Sequence, residues 1–204
     1  QWIGIGYIND TLVYGVYRSP ATNQETFVLF SKGKLDPILS SNISSSTILN
    51  SVHRIKNELL LIPKRGRTIR KLSIIDGKEL TGFTFAEPIT AFSPGNGDKG
   101  SIALLDGSIH VIDLNTMSII TTLSNPALPL ISKVSLSRDG AFLAAGTMLS
   151  ESSLYSSASS EVHVFDIASK TIVRSLRNSS SDVIALDFNA TNQFLATGFA
   201  GFPQ

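Results

Sequence analysis

The sequence predicts an all-β protein built from tandem four-stranded antiparallel units. Two observations carry that prediction. The first is a recurring phrase: Gly107-Ser108-Ile109-His110-Val111-Ile112-Asp113-Leu114, a break at Asn115-Thr116-Met117, then Ser118-Ile119-Ile120-Thr121-Thr122-Leu123. It returns as Ser160-Glu161-Val162-His163-Val164-Phe165-Asp166-Ile167, a break at Ala168-Ser169-Lys170, then Thr171-Ile172-Val173-Arg174-Ser175-Leu176, and more weakly over residues 67–83. The second is that apolar residues along these runs alternate with period two, and that every break carries turn residues. No segment is assigned to a helix.

In chain order the first unit reads as strands over 2–8, 11–17, 26–30 and 35–39, with turns at Asn9-Asp10 and Lys32-Gly33-Lys34. A Ser-rich joint over 40–46 follows. The second unit takes strands 48–54, 58–62, 68–74 and 78–83, broken at Lys56-Asn57, 63–66 and Asp76-Gly77. The third takes 89–92, 101–105, 109–114 and 118–123, and the fourth 132–136, 142–147, 162–167 and 171–176. Strands 183–188 and 194–198 make half of a fifth unit.

The repeat period identifies the architecture. Leu72 and Ile112 are 40 residues apart, and Ile112 and Phe165 are 53 apart, the surplus being the Ser-rich stretch over 149–159. Four-stranded units recurring every 40 to 45 residues or so are the period of a β-propeller blade. About four and a half blades are expected, over residues 1–42, 43–85, 86–126, 127–181 and 182–204, as one partial propeller. A blade buries both sheet faces, which accounts for the imperfect alternation in Leu59-Leu60-Leu61-Ile62 and Ile102-Ala103-Leu104-Leu105.

Composition narrows the function classes. With 42% apolar and 16% charged residues the chain is a folding composition, and a net charge of +1 supplies no broad field for nucleic acid or anionic membrane. The absence of cysteine excludes disulfides and thiolate metal sites. No apolar run reaches the roughly 18 residues that span a bilayer. The opening at Gln1 and the stop after a strand-like run suggest a piece of something longer. The expected location is intracellular, cytoplasmic or nuclear. Secretion is the second reading, on four Asn-x-Ser/Thr sites at Asn9, Asn42, Asn178 and Asn189, a pattern that a chain rich in Ser, Thr and Asn also yields by chance.

On Phe92-Ser93-Pro94, on Leu136-Ser137-Arg138-Asp139-Gly140 with Phe142-Leu143-Ala144-Ala145-Gly146, and on Phe188-Asn189 with Phe194-Leu195-Ala196-Thr197-Gly198, the chain resembles the WD-repeat β-propeller family. Ile112-Asp113 and Phe165-Asp166 stand where that family has Trp-Asp, with Leu72-Ser73 and Phe30-Ser31 as eroded equivalents. No Gly-His dipeptide precedes a unit and no Trp fills the Trp-Asp position, so the family's His–Ser/Thr–Asp–Trp network is not expected and packing is left to hold the blades. The phrase Val111-Ile112-Asp113 with residues 119–123 is also similar to surface-layer and quinoprotein-like propeller repeats.

Residues with chemical capacity read blandly. His110 and His163 occupy one position in successive copies, with Arg70 as the third, so repetition explains them better than metal ligation. Of the candidate carboxylates Asp106, Asp113, Asp139, Asp166 and Asp187, three sit in or beside turns and two, Asp113 and Asp166, stand at the Trp-Asp position, so turn chemistry of the Asp-Gly kind accounts for them better than catalysis. No nucleophile elbow or phosphate loop is present. No cofactor, metal or catalysis is expected.

The densest charge is Lys64, Arg65, Arg67 and Arg70, a candidate partner-binding loop on the face that such propellers use for docking. The insertion carrying Ser150, Ser152, Ser153, Ser156 and Ser157 is a candidate regulatory loop, since phosphate there would add charge and acceptor oxygens. The functional expectation is a non-catalytic scaffold holding protein partners in a multi-subunit complex, with a partner completing the propeller across the edge of the half unit. The alternatives are a phosphoinositide- or RNA-binding propeller using the basic loop, and a quinoprotein-like ligand-binding or enzymatic propeller.

Overall fold

The computed structural model describes residues 1–34, 36–43, 48–95, 97–124, 130–148, 160–178 and 182–200. It is an all-β chain, with no helix among the described residues. The chain divides into two compact units, Gln1–Ala86 and Glu87–Gln204.

The first unit holds two four-stranded antiparallel meanders. β1 (Trp2–Tyr7), β2 (Leu12–Arg18), β3 (Glu25–Ser31) and β4 (Pro37–Ile43) pair in chain order, as do β5 (Leu49–Ile55), β6 (Glu58–Pro63), β7 (Thr68–Ser73) and β8 (Glu79–Thr84). The core between them joins Tyr14, Val16, Phe27 and Leu29 to Leu49, Leu59, Leu61 and Leu72. Burying each such side chain contributes roughly 1.5–3 kcal/mol. β6 is covered on both faces: Leu59, Leu60 and Leu61 are all fully buried, as the run of consecutive apolar residues requires.

The second unit repeats the pattern with β9 (Ile89–Pro94), β10 (Lys99–Leu104), β11 (Ile109–Asp113) and β12 (Ser118–Leu123), and with β13 (Ile131–Leu136), β14 (Phe142–Thr147), β15 (Ser160–Asp166) and β16 (Thr171–Asn178). β17 (Val183–Phe188) and β18 (Leu195–Phe199) form a two-stranded sheet. Ile109, Val111 and Leu123 pack with Val134, Leu143 and Phe165 in its core. Four four-stranded blades and a half are therefore present among the described residues, the propeller-blade architecture that the period predicts.

One expectation needs correction. Residues 40–43 belong to β4 and not to a joint, because β3 supplies a register for them: Thr26 faces Asn42 and Glu25 faces Ile43. Thr26 Oγ1 donates to Asn42 Oδ1 at 3.3 Å and Ile43 is buried, so polar Ser and Asn are strand residues on a solvated edge.

One end of each four-stranded sheet is tied by one repeated backbone bond. The N–H of Lys32, Ile74, Leu114 and Ile167 donates to the carbonyl of Thr11, Asn57, Asp98 and Ala141 at 2.7, 3.0, 2.6 and 2.9 Å. Each joins the third turn of its sheet to the first turn, which a meander places at the same end. The second turns of the first three sheets, the basic stretch 64–67 among them, lie at the opposite end. Register shifts recur as well, between β3 and β4, β7 and β8, β11 and β12, and β15 and β16. Such bulges twist the outer strand and blunt its free edge.

Candidate functional site

In the first unit the second-turn end is built from both sheets. Residues 64–67 link β6 to β7, and the fold fixes this loop on both sides. The Lys64 N–H donates to the Ile48 carbonyl at 2.6 Å, and the Phe85 N–H donates to the Arg67 carbonyl at 2.9 Å. Arg65, at φ 59°, makes the left-handed step that turns the chain, and Gly66 is buried behind it. Lys64, Arg65 and Arg67 are exposed.

Arg70 does not join them. It lies within β7 with its side chain only 13% exposed, and it belongs to a charge cluster between the two sheets. Glu25, at the start of β3 and 2% exposed, is the centre of that cluster. Its Oε1 accepts from Arg18 Nη2 at 2.7 Å and from the Leu49 N–H at 2.8 Å. Arg18 Nη2 also donates to the Leu49 carbonyl at 3.1 Å. Arg70 Nη2 stands 3.8 Å from Glu25 Oε2, and its Nη1 stands 3.6 Å from Glu79 Oε1. The first sheet thus grips the first strand of the second through a buried ion pair, so packing is not alone in holding neighbouring sheets. Lys71 is likewise internal, 2.7 Å from Glu58. Of the five cations over residues 64–71, Lys64, Arg65 and Arg67 are exposed, and Arg70 and Lys71 stand within the sheets beside carboxylates.

The histidines and aspartates occupy structural posts. His110 Nδ1 lies 2.9 Å from Thr122 Oγ1, and His163 Nδ1 lies 2.9 Å from Ser175 Oγ, each across the pair of strands that ends its blade. Glu161 can only accept, so at 3.2 Å the His163 Nε2 carries the proton and Nδ1 accepts from Ser175. Ser108 gives its hydroxyl proton to Asp106 at 2.7 Å, which leaves its oxygen to accept from His110 Nε2 at 3.3 Å. Both copies hold the same neutral tautomer. Burial pushes the imidazoles of His53, His110 and His163 below the usual histidine range.

Glu161, His163 and Ser175 have the connectivity of an acid–base–nucleophile array. The same imidazole–hydroxyl pair in the preceding blade makes the arrangement a property of the repeat. No group of three or more His, Asp or Glu side chains suited to a metal occurs among the described residues.

Asp113 Oδ1 accepts from the N–H of Asn115 and of Thr116 at 2.9 and 2.8 Å, and Asp166 Oδ1 accepts from the Ser169 N–H at 2.8 Å. The Thr116 and Ser169 backbone bonds hold these carboxyls below the usual range, and the Ala141 N–H does so for Asp139. The equivalents of the Trp-Asp position are therefore Asx turns, and four residues on, Met117 and Lys170 take φ of 56° and 58°.

Two clefts open in the second unit at the first-turn end. One, of about 210 Å³, is lined by Asp98, Lys99, Asp113, Arg138 and Asp139, and the other, of about 350 Å³, by Pro94, Arg138, Asp187 and Phe188. Leu136 and Arg138 line both. Ser150, Ser152, Ser153, Ser156 and Ser157 lie outside the described residues. No helix among the described residues is long and apolar enough to cross a membrane.

No family model and no curated protein matches the chain. Among solved structures it is similar to a chain of Kuenenia stuttgartiensis hydrazine synthase, a β-propeller-containing protein, with a TM-score of 0.68 at 15% identity. The match covers 94% of this chain and 53% of that one, so this chain spans about half of its length. The likeness establishes the fold. Because 1302 solved chains match, the fold by itself selects no activity.

Proposed function

We propose that this chain is a non-catalytic, WD-repeat-like propeller scaffold that holds protein partners within a multi-subunit complex. The observation that carries this reading is the division of labour between the buried and the exposed charges of the first unit. Its polar and charged side chains of greatest chemical capacity, Arg18, Glu25, Arg70 and Lys71, are spent on joining strands and sheets. The loop over 64–67, by contrast, is fixed in place by backbone bonds while its long cationic side chains face outward. A rigid array that displays side chains from anchored loops meets the requirement of a docking platform, since little order has to be created when the partner binds. The polar repeats agree with it: Asp113, Asp166, His110 and His163 serve turns and strand pairs.

The test is native mass spectrometry of the complex purified under mild conditions through a tag on this protein, combined with residue-specific photo-crosslinking from Thr22 and Arg65. A fixed stoichiometry with companion proteins, and crosslinks from those two second-turn positions, is the expected result. A species of the protein's own mass, with no stoichiometric companion, overturns the scaffold reading.

A further inference from the structure

The two clefts of the second unit make one groove, because they share Leu136 and Arg138. We infer that this groove docks a partner polypeptide segment in which a basic side chain stands beside an apolar one, an inference that rests on the scaffold reading above and gives the chemistry of one partner. The floor is apolar. Leu136, 6% exposed, lines both clefts, and Pro94 and Phe188 line the larger one with it. Gly95 makes room for this floor, since a Cβ there would come within 2.7 Å of Leu136 Cδ2. The walls are fixed by backbone groups: the Gly95 N–H donates to the Lys99 carbonyl at 2.8 Å, the Gly140 N–H to the Ser137 carbonyl at 2.9 Å, and the Arg138 N–H to Asn192 Oδ1 at 2.7 Å. A groove that is already formed limits the ordering that binding costs. Its two parts, of about 210 and 350 Å³, together reach the size of sites that hold small ligands or side chains, roughly 300–1,000 Å³.

The charge on the lining selects the occupant. Asp98, Asp113, Asp139 and Asp187 stand against Lys99 and Arg138, so four carboxylates face two cations and the lining stays negative whichever of these groups touch one another. The Thr116 and Ala141 N–H groups hold the carboxyls of Asp113 and Asp139 below the usual range, and the Asp98 charge works against that lowering at Asp113. Two like charges are thus close enough to repel, and a cation brought between them relieves the repulsion. Lys99 shows that an ammonium is accommodated: its Nζ lies 3.5 Å from the position of a Cβ added at Gly140, on the facing wall. Nucleic acid, phosphorylated segments and anionic lipid bring charge of the wrong sign. A bare metal ion is not served either, because no group of three or more His, Asp or Glu suited to a metal occurs among the described residues. A peptide whose arginine or lysine adjoins an aliphatic residue uses both the negative rim and the Leu136 floor.

The experiment is fluorescence anisotropy on the purified chain with a fluorescein-labelled peptide of glycine and serine around an arginine-leucine-arginine core. The same peptide with serine in place of leucine, and single-stranded RNA, are the rival probes. Two changes on the lining are expected to act in opposite directions. Asp187→Lys weakens peptide binding about fivefold and Lys99→Glu strengthens it about fivefold, the range that exposed charge pairs support. Added salt weakens the wild-type complex. The serine peptide binds more weakly than the leucine peptide. Lys78→Glu, on the Asp76-Gly77 turn of the first unit, leaves the affinity as it was. Melting curves establish that the variants are folded, and Asp187→Asn replaces the reversal if that does not fold. Absence of peptide binding, changes of the same sign from Asp187→Lys and Lys99→Glu, equal binding of the leucine and serine peptides, or binding of RNA in preference to peptide overturns the inference. A stoichiometric native complex found together with any of these results leaves the scaffold reading standing, and its absence removes both.

Discussion

Arg18 and Glu25 meet at 2.7 Å at the mouth of the β2–β3 turn and jointly hold both backbone polar groups of Leu49, a residue of the neighbouring sheet. The pair acts as an intersheet clamp. Because Glu25 is 2% exposed, removing its carboxylate takes the acceptor from the Leu49 N–H and a buried anion from beside Arg18 and Arg70.

Glu25→Ala is therefore expected to destabilise the fold by about 3–5 kcal/mol, the cost of breaking a buried pair from one side. Glu25→Gln retains an oxygen for the Leu49 N–H and falls in between. Urea unfolding followed by circular dichroism reads both values, and a loss below about 1 kcal/mol for Glu25→Ala would show that solvent replaces the clamp.

The second intersheet contact is steric. A Cβ added at Gly146 in β14 would meet Val183 Cγ1 and would lie 2.7 Å from Val183 Cβ, the first residue of β17. Gly146→Ala should cost about 1–3 kcal/mol by overpacking, and Val183→Ala in the same chain should recover part of that loss. Two losses that simply add in the double-mutant cycle would mean that the strands are held apart by something other than this contact.

The four-stranded pattern was legible in the sequence because each sheet carries its own alternation and its own turn residues. The intersheet clamp was not, since it depends on which residue of β5 falls opposite the β2–β3 turn, and no local pattern encodes that. Charge density along the chain grouped Arg70 with the loop at 64–67. Pairing with Glu25, far away in sequence, separates it. The imidazole partners left a readable trace: a hydroxyl residue stands twelve positions after both His110 and His163. The bonds between first and third turns involve backbone groups only, so side-chain identity could not announce them.

Turn geometry yields a pair of opposite outcomes. Lys170 adopts φ 58° without being glycine, and Gly77 adopts φ 68° at the corresponding turn of the second sheet. Lys170→Gly relieves a left-handed backbone and is expected to raise the melting temperature slightly. Gly77→Ala should lower it, costing about 1–2 kcal/mol, because its Cβ would also approach Ser41 Cβ to 3.0 Å. A stabilising Gly77→Ala would contradict the turn assignment.

Acid sensitivity follows from the histidines. Burial lowers the imidazole pKa of His53, His110 and His163 in the folded chain, while in the unfolded chain each titrates near 6.5. Between those two values the unfolded state binds more protons, so stability rises with pH across that window. The contribution is complete above about pH 6.5 and is lost as the pH falls toward the folded pKa values. The carboxyls of Asp113 and Asp166, lowered by their turn bonds, add a second loss only at pH values below the unfolded carboxylate pKa of about 3.9. Melting temperatures measured from pH 7.5 to 5 should therefore decline in wild type and decline less in a His110→Asn, His163→Asn chain, whose asparagines keep a polar group near Thr122 and Ser175 without the titration. An equal decline in both chains would place the acid-sensitive group elsewhere and would remove the two imidazole–hydroxyl pairs as its source.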